Sequence, residues 1–191
     1  MEKYNKKLND DFLLKINLLD ITDYKSLELA EAFVFSLRAT QLEQGTYKIK
    51  SFHLQDFKNL HTHLFQDIYP FVGHFRDVQL MKGSTRFCQF QFINSYASEL
   101  FYQLNNEPTW TTINQAANRL AFYKSELNML HPFREGNGRT IRIFVQAYAL
   151  SKGVNWNFTN IDKEIYLNAM IQSVTNTELL ERLFFNTIEF I

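Results

Sequence analysis

Only six glycines and three prolines punctuate the 191 residues of this chain. Folds assembled from many short strands need frequent tight turns, and tight turns draw on glycine and proline. Nineteen Phe and nine Tyr against so few breakers point instead to helices packed through aromatic side chains. The expected fold class is mainly α, a helical bundle, with a β-hairpin where the apolar period changes. Hydrophobic residues at 46% and charged residues at 21% provide for a real core and exclude global disorder. Lys plus Arg equals Asp plus Glu, 20 of each. Without a basic excess, direct nucleic-acid binding through phosphate neutralisation is not expected.

The apolar spacing locates the elements. Residues 1–11 are polar and read as a frayed end. A helix is expected from Ser26 to about Gly45, with Leu29, Ala32, Phe33 and Leu37 on one face. A second spans 53–69 with Leu54, Phe57, Leu60, Leu64 and Ile68, broken by Pro70 and Gly73. The stretch from Asp77 to Ile93 then alternates apolar and polar residues around Lys82, Gly83, Ser84 and Thr85, which reads as a hairpin. Its strands are expected at Val78–Met81 and Phe87–Phe92. Helical spacing resumes at Ile93–Leu104, Thr112–Leu130, Arg139–Ser151, Asp162–Ser173 and Thr177–Glu189. No repeat, low-complexity tract or linker interrupts the chain, so one unit over 1–191 is expected. The lone Cys88 precludes an internal disulfide and suits a reducing, cytoplasmic setting. The N-terminus has no apolar run that would make a signal peptide, and no window is long enough to span a membrane.

Chemistry concentrates in His131–Arg142, H-P-F-R-E-G-N-G-R-T-I-R. An imidazole ends one expected helix and a glycine-containing turn opens the next. The N–H groups that begin a helix lack intrahelical acceptors, so such a turn is a ready anion site, and phosphate is its usual occupant. Gly136 and Gly138 let the backbone approach a ligand closely. Arg139 and Arg142, three apart, share a helix face and can both reach phosphate oxygens. Glu135 is a hard oxygen ligand suited to Mg²⁺, Asn137 has an amide that can donate to phosphate, and His131 suits general-base work near neutrality. His61 and His63 stand two apart on a helix and point in different directions, so a shared metal ion is not expected.

The stretch resembles, at every defining position, the Fic motif H-x-F-x-[D/E]-G-N-G-R-x-x-R. LHTHLFQDIYPFVGHFR, LMKGSTRF and IYLNAMIQS resemble the pre-flap helix and turn, the flap hairpin and a downstream helix of that family, so that residues of about 50–185 form the core and 1–49 a helical extension. The resemblance implies a protein adenylyltransferase that moves AMP from ATP to a hydroxyl of a target protein. It implies His131 as the base. Phe133, Gly136, Asn137, Gly138, Arg139 and Arg142 form the nucleotide-binding set, with Phe133 anchoring the loop in the core. Glu135 would hold Mg²⁺, and Tyr166 would lie against the adenine. The flap residues Lys82, Gly83, Ser84 and Thr85 would receive the target as an added strand. Gly138 favours AMP transfer, since relatives resembling the Doc toxin carry a bulky residue there and phosphorylate.

Many members restrain themselves with a glutamate in [S/T]-x-x-x-E-[G/N] that pairs with the second motif arginine. Ser95/Glu99 and Thr177/Glu181 have the spacing but are followed by Leu100 and Arg182. Relatives with a C-terminal brake continue past the position of Ile191, and none of the braking pattern precedes residue 50. The resemblance then implies a toxin held by a small antitoxin, with a gyrase or topoisomerase IV ATPase subunit as target. The alternatives are a Fic-type kinase and a nucleotide-binding module acting through partner binding.

Overall fold

The computed structural model describes residues 2–83 and 85–191; Ser84, one of the expected flap residues, lies outside the described residues. Among the described residues eight α-helices carry the architecture, as expected from the scarcity of breakers. They are α1 (Glu2–Ile16), α2 (Tyr24–Glu43), α3 (Leu54–Phe65), α4 (Ile93–Asn105), α5 (Ile113–Leu130), α6 (Asn137–Ser151), α7 (Lys163–Gln172) and α8 (Glu178–Thr187). α5 is the central element, packing against α4, α6 and α8, while α3 lies on α2 and α6. Thr112 caps α5 by accepting from the Gln115 N–H at 3.2 Å, and Asp162 caps α7 from Glu164 and Ile165, the satisfaction of first-turn donors that Thr and Asp supply well. Aromatic rings fill the space between α3, α4 and α6: Phe57 meets Phe101, Phe133 and Phe144 at centroid separations of 5.5, 5.3 and 5.0 Å.

Four expectations are corrected. The frayed end expected over 1–11 is helical from Glu2 on, as part of α1, which is tied down by buried Leu13 and by the Asn17 side chain donating to Leu14 and Ile21 carbonyls; residue 1 lies outside the described residues. In α2 the stripe Leu29, Phe33 and Leu37 faces outward, Phe33 being 72% exposed, and the buried face is Leu27 with Glu31. A helix offers apolar residues on more than one face, and a glutamate on the inward face hides it from a hydrophobicity pattern. The hairpin is shorter than expected. β1 (Met81–Lys82) pairs with β2 (Thr85–Arg86) in the register Met81 to Arg86 and Lys82 to Thr85. Beyond the tip the legs are joined by one backbone bond, Phe87 N–H to the Leu80 carbonyl at 3.3 Å, and by side chains such as Gln79, and Phe90–Phe92 forms a 3₁₀ turn. Finally, β3 (Val154–Trp156) pairs antiparallel with β4 (Ile188–Phe190), so a second small ladder closes the C-terminal helices.

Candidate active site

α5 ends and α6 begins around the motif loop, and the loop's shape follows from two residues at positive φ. His131 is the C-cap of α5 at φ 40°, ψ 58°, and Gly136 precedes α6 at φ 78°. The left-handed region costs a non-glycine residue roughly 1–2 kcal/mol, so something must hold His131 there. Arg76 does. Its buried guanidinium donates from Nε to the His131 carbonyl at 2.8 Å, from Nη1 to Val78 and from Nη2 to Cys88. Its own N–H donates to the Pro132 carbonyl at 2.8 Å. A single side chain therefore fastens the histidine turn to both legs of the hairpin. The family resemblance assigns no role to Arg76, and its only sequence signal is an arginine just before the hairpin.

The His131 ring stacks on Phe87 at 3.7 Å with 7° between planes. Its Nδ1 lies 3.2 Å from the Asn128 carbonyl. A carbonyl can only accept, so Nδ1 carries the proton and Nε2 is left with its lone pair. Burial, reinforced by the Arg76 and Lys82 cations, pushes the imidazole down to about 3, and it is neutral at physiological pH.

His61 has a different task. Its Nε2 donates to the Glu135 carbonyl at 3.0 Å and its Nδ1 accepts from Gly73 N–H at 2.9 Å. The ring stacks on Phe133 at 3.7 Å. Burial lowers it to about 4, consistent with a neutral ring whose two nitrogens are both engaged. His63 donates instead to the Arg38 carbonyl and stacks on Tyr47.

Two members of the expected nucleotide set are buried. Phe133 is fully buried among Phe57, His61 and Phe75; its ring anchors the loop and is sealed from ligand. Asn137 is only 3% exposed, and its amide accepts from Phe133 N–H and donates to Phe133 O, each at 2.8 Å. That clasp engages both ends of the amide, leaving one Nδ2–H beyond the two bonds. The backbone N–H of Asn137 is one of the first-turn donors of α6 without an intrahelical acceptor. Beside Gly138 no atom lies within 4 Å of where a Cβ would stand.

Arg139 is engaged by the chain itself. Its guanidinium forms an ion pair with Glu31 of α2 and lies 3.5 Å from Glu135 Oε1. Glu31, 8% exposed, also accepts from the Tyr69 hydroxyl at 2.5 Å. A cavity of ≈ 290 Å³ opens here, lined in part by Tyr24, Glu28, Glu31, Tyr69, Glu135 and Arg139. A phosphate seeking Arg139 has to exchange with Glu31. The Glu135 carboxyl is held above the usual carboxylate range, first by burial and then by the Glu31 charge. Sequence reasoning missed Glu31 because it lies outside the braking pattern and meets the first motif arginine. Arg142 has no hydrogen-bond or carboxylate partner among the described residues; it lies over Phe158 at 4.7 Å, and Phe158 is edge-on to Tyr166 at 5.2 Å.

A helical fold that holds a neutral imidazole at one helix end, and a glycine-opened helix start flanked by two arginines, defines an enzyme built around an anionic substrate. Comparison with known proteins makes the class specific. The Fic/DOC family pattern matches residues 51–149. Protein adenylyltransferase VbhT of Bartonella schoenbuchensis is 34% identical over 170 residues, covering 87% of this chain and 35% of that protein. The probable protein adenylyltransferase Fic of Escherichia coli is 34% identical over 155 residues, 80% of this chain and 76% of its own. The crystal structure of BepC from Bartonella tribocorum, with bound AMPPNP, superposes with a TM-score of 0.81 at 21% identity over 92% of each chain. The N-terminal Fic domain of a Bartonella quintana effector protein, with bound ADP, gives 0.81 at 24% over 91% and 90%. This chain belongs to the Fic/DOC family, and it is an enzyme of the nucleotidyltransferase type. It spans about a third of VbhT and three quarters of the E. coli protein. No described helix is long and apolar enough to cross a membrane.

Proposed function

We propose that this chain transfers AMP from ATP to a hydroxyl side chain of a target protein and releases pyrophosphate. The observation that carries the reading is the tautomer of His131: with Nδ1–H given to Asn128, Nε2 is the basic atom. It takes the proton of the target hydroxyl as that oxygen bonds to the α-phosphorus and the bond to pyrophosphate breaks. Charge on the phosphates is met by the backbone N–H groups at the start of α6, around Gly136, Asn137 and Gly138, and by Arg139 and Arg142. Glu135 Oε1 accepts from Gly136 N–H at 2.9 Å, and a second carboxylate oxygen is uncommitted among the described residues. That donor fits a hard cation, and Mg²⁺ held there would neutralise phosphate charge. Tyr166, beside Phe158, is the aromatic surface for the adenine. The open space beside Gly138 favours the AMP-transferring pose over phosphorylation, and the names of the relatives favour it too. The hairpin tip at Lys82, Gly83, Ser84 and Thr85 would receive the target's strand. One unit covers residues 1–191, with the Fic core at about 50–185.

ATP labelled at either the α- or the γ-phosphorus separates the readings. Incubated with lysate, the purified chain is expected to pass α-label to a protein band and γ-label to none. Transfer of γ-label makes it a kinase. If neither label moves although ATP binds, the chain is a binding module. Purified gyrase and topoisomerase IV ATPase subunits are the first targets to test, in a cytoplasmic toxin–antitoxin setting.

The unpaired Arg142 supports an antitoxin that supplies a carboxylate in trans. On this reading the chain alone is unrestrained at that arginine. Arg142→Ala is then expected to lower transfer, by about tenfold or more for a lost charge-assisted phosphate contact; a large increase in labelling would contradict the proposal.

A further inference from the structure

Arg76 belongs to no helix or strand and lies outside the motif, yet it is only 5% exposed. No carboxylate pairs with its guanidinium among the described residues. Its partners are carbonyls: His131 from Nε at 2.8 Å, Val78 from Nη1 at 2.5 Å and Cys88 from Nη2 at 2.6 Å. A buried cation is tolerated here because its fork meets three carbonyl dipoles, one of them at the negative end of the α5 dipole.

Two effects oppose the backbone of His131 where it stands. A φ of 40° is left-handed for a residue with a Cβ, and the Pro132 ring disfavours helical dihedrals at the position before it. Released, His131 would relax to extended backbone, at a φ of roughly −120°. Its ring would then leave Phe87, and Nδ1 would leave the Asn128 carbonyl that fixes its proton. On the near side, His131 N–H donates to Leu127 O at 3.1 Å. On the far side, the carbonyls of His131 and Pro132 are both held by Arg76, one by its side chain and one by its own N–H. The other two arms of the fork hold the legs of the hairpin. The leg that carries Phe87 is tied a second time, by Cys88 N–H to Met129 O at 2.8 Å.

We infer that Arg76 is a positioning residue for the transfer: it keeps His131 in the tautomer and orientation that present Nε2, and it fixes that atom relative to the hairpin on which the target lies. The inference rests on the AMP-transfer reading for the proton that Nε2 takes. It goes beyond that reading in making the base and the target-binding hairpin one unit, through a side chain that touches neither nucleotide nor target.

The test uses the full chain, its Arg76→Lys variant and three readouts: histidine-ring NMR of isotope-labelled protein, calorimetric titration with Mg-ATP, and transfer of α-label in lysate. Lysine keeps the cation, but a compact ammonium cannot span three carbonyls as the planar fork does. The ring signals missing from His131→Ala identify His131. In wild type they should report a proton on Nδ1, and in Arg76→Lys a mixture of the two neutral tautomers. Transfer should fall by about 10²-fold, the effect of a displacement of roughly 1 Å at a reacting group. ATP affinity should stay within about twofold, because the nucleotide meets α6 and not the hairpin. Arg76→Gln, neutral but able to donate, should behave alike and serves if the lysine variant fails to fold. A ring still protonated at Nδ1, with transfer within about threefold of wild type, would overturn the inference. Either change without the other would also overturn it, since Arg76 would then not act through His131. ATP affinity falling in step with transfer would reduce Arg76 to a general structural residue. A wild-type chain that shows the expected tautomer and its loss in the variant, but transfers nothing, defeats the AMP-transfer reading alone. A wild-type ring protonated at Nε2 defeats both.

Discussion

His131→Ala is expected to lower AMP transfer by about 10²–10⁴-fold, the usual contribution of a positioned general base. ATP affinity should stay within about a factor of two, because the imidazole is asked to act on the hydroxyl and not on the nucleotide. The split matters: loss of both would mean that the turn had collapsed. The pH profile adds an independent check. An ordinary histidine loses its lone pair around pH 6.5. Here burial, helped by Arg76 and Lys82 and opposed by the Asn128 carbonyl, lowers the value to about 3. A depressed value keeps the ring neutral as pH falls, so kcat/KM should show no His131 midpoint near 6.5. An acid limb centred there, and missing from His131→Ala residual activity, would contradict the geometry.

Gly136→Ala should be the most damaging substitution in the loop that leaves the catalytic side chain in place. Gly136 sits at φ 78°, and an added Cβ would stand 2.5 Å from Phe65 Cε2 and 2.7 Å from Cζ. The left-handed backbone costs roughly 1–2 kcal/mol and forcing the ring aside about 1–3 kcal/mol more. Phe65 has little room to yield, since it is buried on α3 and stacked with Phe35 at 6.0 Å. The variant is expected to melt several degrees lower and to lose both ATP binding and transfer. Gly138→Ala makes the contrast, because no atom lies within 4 Å of its Cβ position; its melting temperature should change little. Equal stability of the two variants would show that the loop's backbone is not held as described.

Much of this arrangement is legible along the chain. Helices α3 to α8 follow from apolar spacing, caps and breakers, since each needs only neighbours within a few residues. The motif loop is likewise local: an αL glycine, a helix start and arginines one turn apart are all properties of twelve consecutive positions. The length of the hairpin was not legible. Alternation of Phe87, Phe90 and Phe92 reads as a strand, but Arg76 and Gln79 hold the legs through side-chain bonds to their carbonyls, and the ladder stops at Arg86. The orientation of α2 was hidden for a related reason. Its inward face carries Glu31, whose burial makes sense only once Arg139 and Tyr69 are opposite it.

The sequence by itself determined which atoms are available for chemistry: an imidazole, a run of helix-start N–H groups, one carboxylate and two arginines, all in one short segment. Tertiary structure decided their state. Glu31 reaches Arg139 across 108 positions and Arg76 reaches His131 across 55, while burial strips Lys124 of water. The physical reason is that proton affinity, charge pairing and the hold on a strained turn depend on what lies within a few ångströms in space, and partners so far apart in sequence leave no periodic trace.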